Sequence, residues 1–285
     1  MVGKKLKLIK DLILDEERAL YNQRDVKIKS VQFQGPKDGE SALKECENIE
    51  VENCYFDLRY PFWHVNKSNI KDVEMTNNCR AALWYCNNIN IKDSKLHGIK
   101  AVRECNNVNI KNTDIQSMEF GWKCNNVNMD DTNIVGEYLF LDSNNIKLNN
   151  VNLKGKYSFQ YVNDLEIWDS NLDTKDAFWH AKDVIVINTV LNGEYLGWYS
   201  ENLTLINCKI KGTQPLCYCK NLKLINCTTE GCDLSFENSV VEGVITGHID
   251  SIKNLKEGTI VVGTVGEVIN DDQKYGCCGK VVVTE

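Results

Sequence analysis

Residues 86–96 read CNNINIKDSKL, residues 105–115 CNNVNIKNTDI and residues 124–134 CNNVNMDDTNI, so one phrase returns every nineteen residues. The first apolar residue after the asparagine pair serves as an anchor and extends the series in both directions. It runs through Ile70, Ile89, Val108, Val127, Ile146, Leu165, Val184, Leu203 and Leu222, with a step of nineteen throughout. Two looser repeats precede it at Val26 and Ile49, with steps of 23 and 21. Nineteen residues cannot hold two helices and their turns, which excludes a helical solenoid.

The columns of this repeat have distinct chemistry. Two residues after each anchor stand Ile91, Ile110, Met129, Leu148, Ile167, Val186, Leu205 and Leu224, and alternation of period two marks a strand with one face inward. Seven after it comes a second inward column, Leu96, Ile115, Ile134, Leu153, Leu172, Leu191 and Ile210. Asn or Asp stands one residue before the anchor and again four after it, where the chain has to bend. Stacked one layer apart, such amides bond to their own copies in the next coil. The calcium-binding glycine-rich nonapeptide is absent, so these residues are read as structural. A left-handed β-helix runs on six-residue units, which leaves a right-handed parallel β-helix, pectate-lyase-like, with about eleven coils.

Composition agrees with that reading. The 285 residues carry a net charge of −7, which argues against a nucleic-acid partner. No apolar run approaches the ~18 residues of a membrane span, and a cytoplasmic protein is expected. The 13 cysteines are odd in number and form no CxxC. They fall into columns with Ser, Val or Ala, as small buried side chains do, so neither a metal nor any other cofactor is expected. At the ends, Asp15 is read as capping a short helix within a lid over residues 1–25. Coils are placed at 26–240, and terminal strands with a tail at 241–285, all in one solenoid domain.

Several stretches resemble a known family. EERALYN, FQGPKDGESALKEC, the FWH at residues 62–64 and again at 178–180, and GEYLGWYSENLTLINCKI are similar to the bacterial right-handed β-helix family called domain of unknown function 3737. The resemblance implies the fold and no activity. The terminal GCCGKVVVTE stands outside it.

Candidate functional residues gather late in each coil. Fourteen residues after the anchor stand Trp63, Trp84, Arg103, Trp122, Leu141, Gln160, Trp179, Trp198 and Cys217. Fifteen after it stand His64, Tyr85, Glu104, Lys123, Asp142, Tyr161, His180, Tyr199 and Tyr218. Charges this numerous cannot line a narrow core unpaired, so these positions form an exposed wall, provided that the chain bends there. Trp84, Trp122, Trp179, Trp198, Tyr161, His180 and Tyr199 are the candidate binding residues. Arg103, Glu104 and Asp142 are the candidate catalytic ones. Glu104 and Asp142 are two layers apart, roughly 9.6 Å, within the range for a glycosidase pair. Two readings stand. The favoured one is a non-enzymatic scaffold whose wall binds a protein partner or a second copy, because an exposed aromatic patch more often marks an interface. The other is a carbohydrate-binding protein, glycoside hydrolase or polysaccharide lyase using the same wall.

Overall fold

A computed structural model describes residues 6–35, 39–272, 274 and 276–284, so Pro36, Lys37 and Asp38 of the GPKDGES segment lie outside the described residues. The chain forms two compact units, Met1–Phe140 and Leu141–Glu285. Each is an all-β parallel β-helix, and every pairing of named strands is parallel, from Lys7–Lys10 on Arg24–Lys29 to Glu257–Ile269 on Lys280–Val283.

In the first unit the anchor column runs Lys7, Val26, Ile49, Ser68, Ile89, Val108 and Val127. One anchor therefore differs from the sequence reading. Ile91 pairs with Ile70, and Ile89 with Ser68, so Ile70 stands two residues past the anchor. Ser68 is buried like the apolar residues of its column, and its polarity disguised the register. The 21-residue step accordingly runs from Ser68 to Ile89. Its two extra residues fall between Met75, which pairs with Phe56 and Leu96, and Leu83, which pairs with Phe62 and Val102.

Corners are set by backbone conformation. The residue before the anchor has positive φ at Asp25, Asn48, Lys67, Asn88, Asn107 and Asn126, and the fourth after it at Ser30, Asn53, Asp72, Asp93 and Asn112. Asn and Asp reach this left-handed region at less cost than other side chains, which explains their columns. Their amides form the expected ladders: Asn126 donates to Asn107 (2.6 Å), Asn107 to Asn88 (3.0 Å) and Asn112 to Asp93 (2.8 Å).

The expected N-terminal helix is not formed, and no helix occurs among the described residues. Arg18, Leu20 and Asn22 instead have positive φ, the pattern of the eleventh, thirteenth and fifteenth positions of a regular coil. Residues 15–22 thus close the first coil. The helix-like composition of DEERALYN gives way because the strand Lys7–Lys10 must return to pair with Arg24–Lys29. In the second unit the anchors Ile146, Leu165, Val184, Leu203, Leu222 and Val241 keep the expected step. The C-terminal segment then forms the long strands Val240–Lys253 and Glu257–Ile269, in register from Val241↔Gly258. With coils at both ends, the units make about 14 turns rather than eleven.

The interiors are narrow and tightly stacked. Phe33 lies on Phe56 at 4.6 Å in the first unit, and Phe159 on Phe178 at 5.3 Å in the second. Gly121, at φ 76°, is required because a Cβ there would sit 2.5 Å from the Phe140 ring. Eleven of the 13 cysteines are free and buried, and Cys277 and Cys278 are the ones with solvent access. Buried thiols donate to carbonyls of the preceding coil, as Cys86 does to Phe62 O (3.1 Å) and Cys219 to Gly197 O (3.1 Å). Burial pushes the Cys79 thiol up to about 11 and the Cys219 thiol up to about 12.

Two measurements test this account. Asn107→Ala places an ordinary residue at φ 56° and breaks two ladder bonds. It should lower stability by about 2–3 kcal/mol in urea unfolding, and Asn107→Gly by about 1 kcal/mol less, because glycine tolerates the conformation. The thiols give a pH dependence. Their folded pKa is raised, so the folded state keeps protons that the unfolded chain loses above pH 9, and that stability falls away as pH climbs toward 12. Unfolding free energies from urea titration should hold from pH 6 to 8 and fall above pH 9, by about 1.4 kcal/mol per pH unit for each thiol raised in this way. Cys219→Ser should remove one such share.

Candidate functional site

The bend assumed in the sequence is present. The closing corner, fifteen residues past the anchor in a 19-residue coil and at the equivalent place in the two longer coils, has positive φ at Glu45, His64, Tyr85, Glu104 and Lys123 in the first unit, and at Asp142, Tyr161, His180, Tyr199 and Tyr218 in the second. Its backbone N–H donates to a carbonyl one coil on, as from Glu104 to Trp122 O (2.8 Å) and from Tyr161 to Trp179 O (2.9 Å). The fourteenth side chains are half-buried wherever they are Trp or Arg, and the fifteenth ones are mostly exposed.

In the first unit the fourteenth position sits on a small parallel sheet, Phe62–Trp63, Leu83–Trp84 and Val102–Arg103, extended by a bridge from Arg103 to Trp122. Its side chains form one continuous stack. The Lys44 ammonium lies 4.0 Å from the centre of the Trp63 ring, and Trp63 stacks on Trp84 at 5.4 Å. The Arg103 guanidinium follows, 5.8 Å from the Trp84 ring and 5.7 Å from the Trp122 ring. A guanidinium between two indoles is held by cation–π attraction and needs no external ligand.

Arg103 also donates to Glu104 (2.8 Å), and Lys100 pairs with Glu119 (3.1 Å). Burial works to raise the Glu104 carboxyl, but hydrogen bonds from Arg103 and Tyr85 outweigh it and hold the group below the usual carboxylate range. A group held ionised in this way is poorly suited to protonating a glycosidic oxygen. Asp142 belongs to the second unit and is exposed at its corner, where its N–H donates to Gln160 O (3.0 Å).

The second unit uses its aromatics differently. Tyr161, His180, Tyr199 and Tyr218 stack face to face in four successive coils, with ring centres 5.0, 5.0 and 4.8 Å apart and planes within 11° of parallel. Behind them Trp179 and Trp198 stack at 5.6 Å, and their indole N–H groups donate to Tyr195 O (3.2 Å) and Gln214 O (2.8 Å). All seven candidate binding residues therefore sit on the wall: Trp84 and Trp122 in the first unit; Tyr161, Trp179, His180, Trp198 and Tyr199 in the second. In the outer ladder His180 and Tyr199 have a stacked ring on each side, whereas Trp84 and Trp122 lie against Trp63 and Arg103.

The recesses of the first unit lie elsewhere, and the sequence reading missed them. One, of about 480 Å³, follows the corner four residues past the anchor and is lined by Tyr55, Asp72, Glu74, Asp93 and Lys95. A second, of about 280 Å³, is lined by Gly35, Glu40, Arg59, Asn78 and Arg80. It falls where the 23- and 21-residue coils insert their extra residues, so the irregular steps were its visible signal. No cluster of three His, Cys, Asp or Glu side chains suited to a metal occurs among the described residues.

Coils of stacked parallel strands with an aromatic wall define a β-helix protein. The chain belongs to the family described as protein of unknown function DUF3737, whose model matches residues 7–282. The match takes in most of GCCGKVVVTE, which the sequence comparison had set apart. No curated protein matches the chain in sequence. Among solved structures it is similar to a surface adhesin of Streptococcus pneumoniae, at 11% identity and a TM-score of 0.43, covering 98% of this chain and 86% of that one. It is also similar to a tailspike protein of an E. coli bacteriophage, at 10% identity and a TM-score of 0.44, covering 97% and 72%. An exopolygalacturonase from Thermotoga maritima gives 10% identity and a TM-score of 0.30, covering 96% and 84%.

Arg103→Ala should free Glu104 from its main counter-charge and empty the space between the two indoles. The Glu104 carboxyl should then titrate higher, as followed by carboxyl-carbon NMR, with a stability loss of about 1–2 kcal/mol. Arg103→Lys should restore part of the charge effect and little of the stacking.

Proposed function

We propose that this protein is a non-enzymatic scaffold and that the ladder Tyr161, His180, Tyr199 and Tyr218 is the face that takes up a protein partner. The observation that carries this reading is the parallel stacking of the four rings, with planes within 11°. Sugar rings pack on aromatic faces, whereas this ladder offers edges. The edges carry the positive rim of each ring and, in Tyr161 and Tyr199, a hydroxyl, and both suit the carbonyl and carboxylate oxygens of a protein surface, while the Tyr218 hydroxyl donates to Glu237 (3.3 Å). Bulky residues also hold positive φ at these four places, at a cost of order 1 kcal/mol each. A column that keeps Tyr and His there, where Asn would be cheaper, is consistent with a demand on the side chain.

A photo-crosslinking amino acid in place of Tyr199 tests the proposal in the cell that makes the protein. The expected result is an adduct of one discrete mass that is lost when Tyr161→Ala and Tyr218→Ala are added. Absence of any adduct counts against the reading. So does binding to a broad oligosaccharide panel that disappears in Tyr161→Ala. Turnover of any of those sugars that is abolished by Glu104→Gln or Asp142→Asn would replace it with the hydrolase or lyase alternative.

A further inference from the structure

The outward face of the main sheet differs sharply between the two units. Three residues past the anchor, the first unit carries Lys10, Lys29, Glu52, Lys71, Lys92, Lys111 and Asp130, charged in all seven coils. The same column of the second unit begins at Asn149 and continues Trp168, Ile187, Ile206 and Ile225. Val244, Val261 and Val282 prolong it, and Ile225, Val244 and Val261 share a recess of about 360 Å³. These side chains point out of the sheet, and Ile225 and Val244 are 50% and 46% exposed. Asn and Asp ladders fix both borders, with Asn188 bonded to Asp169 (3.0 Å) on one side and Asn202 to Asp183 (2.7 Å) on the other. The result is a flat apolar stripe with a rigid polar rim.

The neighbouring outward column says what covers it. One residue past the anchor, successive coils carry Lys147, Glu166, Ile185, Thr204, Lys223 and Glu242. Read in the opposite direction, this series complements itself. We propose that the part of the stripe from Asn149 to Val244 is the interface of a homodimer in which two copies pack sheet on sheet with their coil axes antiparallel. The two-fold axis then runs along the strands, between the Ile185 and Thr204 layers. Columns are preserved and layers reversed, so Ile187 meets Ile206, Trp168 meets Ile225, Glu166 meets Lys223 and Lys147 meets Glu242 of the second copy. Lys147 and Glu166 are already paired within one copy (2.9 Å), and Lys223 and Glu242 are register neighbours, so each end closes in a quartet of alternating charge.

The other face-to-face symmetry, with the axis along the coils, sets Glu166 against Trp168 and Lys223 against Ile225. That would bury charge without a partner. Six strands of six residues give a face of roughly 25 by 20 Å, or on the order of 1,000 Å² over both copies, which reaches the threshold of a specific interface. Little backbone ordering is added on pairing, because the ladders already hold the strands in place.

Light scattering on the full chain during gel filtration, at about 100 µM, tests this. The wild type should run at twice 32.5 kDa. Ile206→Lys should raise the dimer dissociation constant at least 100-fold with an unchanged circular dichroism spectrum, since Lys71, Lys92 and Lys111 occupy the equivalent column of the first unit. Lys223→Glu and Glu166→Lys should each be monomeric alone, and an equimolar mixture should restore a dimer, because both cross-pairs become attractive again. A monomeric wild type overturns the proposal. A dimer indifferent to Ile206→Lys overturns it as well, and failure of the mixture to re-form overturns the antiparallel register.

Discussion

Each coil can stack on the next only if its corners fall in the same place in every layer. In this chain the corners are made by single residues at positive φ, before the anchor, four residues after it and fifteen after it. Inter-coil hydrogen bonding, the amide ladders and the stacking of buried rings all follow from that coincidence. Where a corner is otherwise unconstrained, Asn and Asp occupy it, because their short side chains tolerate the left-handed region and bond to the layer below. Where other side chains occupy it, as at Tyr161 or His180, the strain is met by contacts with neighbours that the same alignment brings to stacking distance.

The alignment acts on aromatics in opposite ways in the two units. In the first, cations cap and interrupt a half-buried row of indoles, with Lys44 on Trp63, Trp63 on Trp84 and Arg103 between Trp84 and Trp122. In the second, like rings meet like rings, and the wall ends in a row of edges. Composition alone does not separate these cases. Trp84 and Trp179 look equivalent in the repeat and each stacks on another indole, yet Trp84 also carries the Arg103 guanidinium.

Much of the fold was legible because its constraint is periodic. The nineteen-residue step, both inward columns and the asparagine ladders follow from spacing and hydropathy. What failed did so where a residue's chemistry and its position disagreed. Ser68 occupies an apolar column, so a search for apolar anchors slid to Ile70. DEERALYN has helical composition, but its residues serve as the closing side of a coil, a demand that no local propensity reveals. The surface placement of the fourteenth and fifteenth columns follows from their charges, while the ring orientations depend on backbone angles that the sequence does not display. The outward apolar column is visible in the sequence as Trp168, Ile187, Ile206 and Ile225, nineteen residues apart, but spacing alone does not separate an outward apolar column from an inward one.

The two irregular coils carry a lesson about tolerance. Their extra residues enter between the second inward column and the closing corner, and the strands on either side keep pairing residue for residue. Length is therefore free at that corner in both coils. Natural variation within the family should accumulate there, and a foreign peptide spliced into the segment between Met75 and Leu83 would be displayed from a rigid stack without altering it.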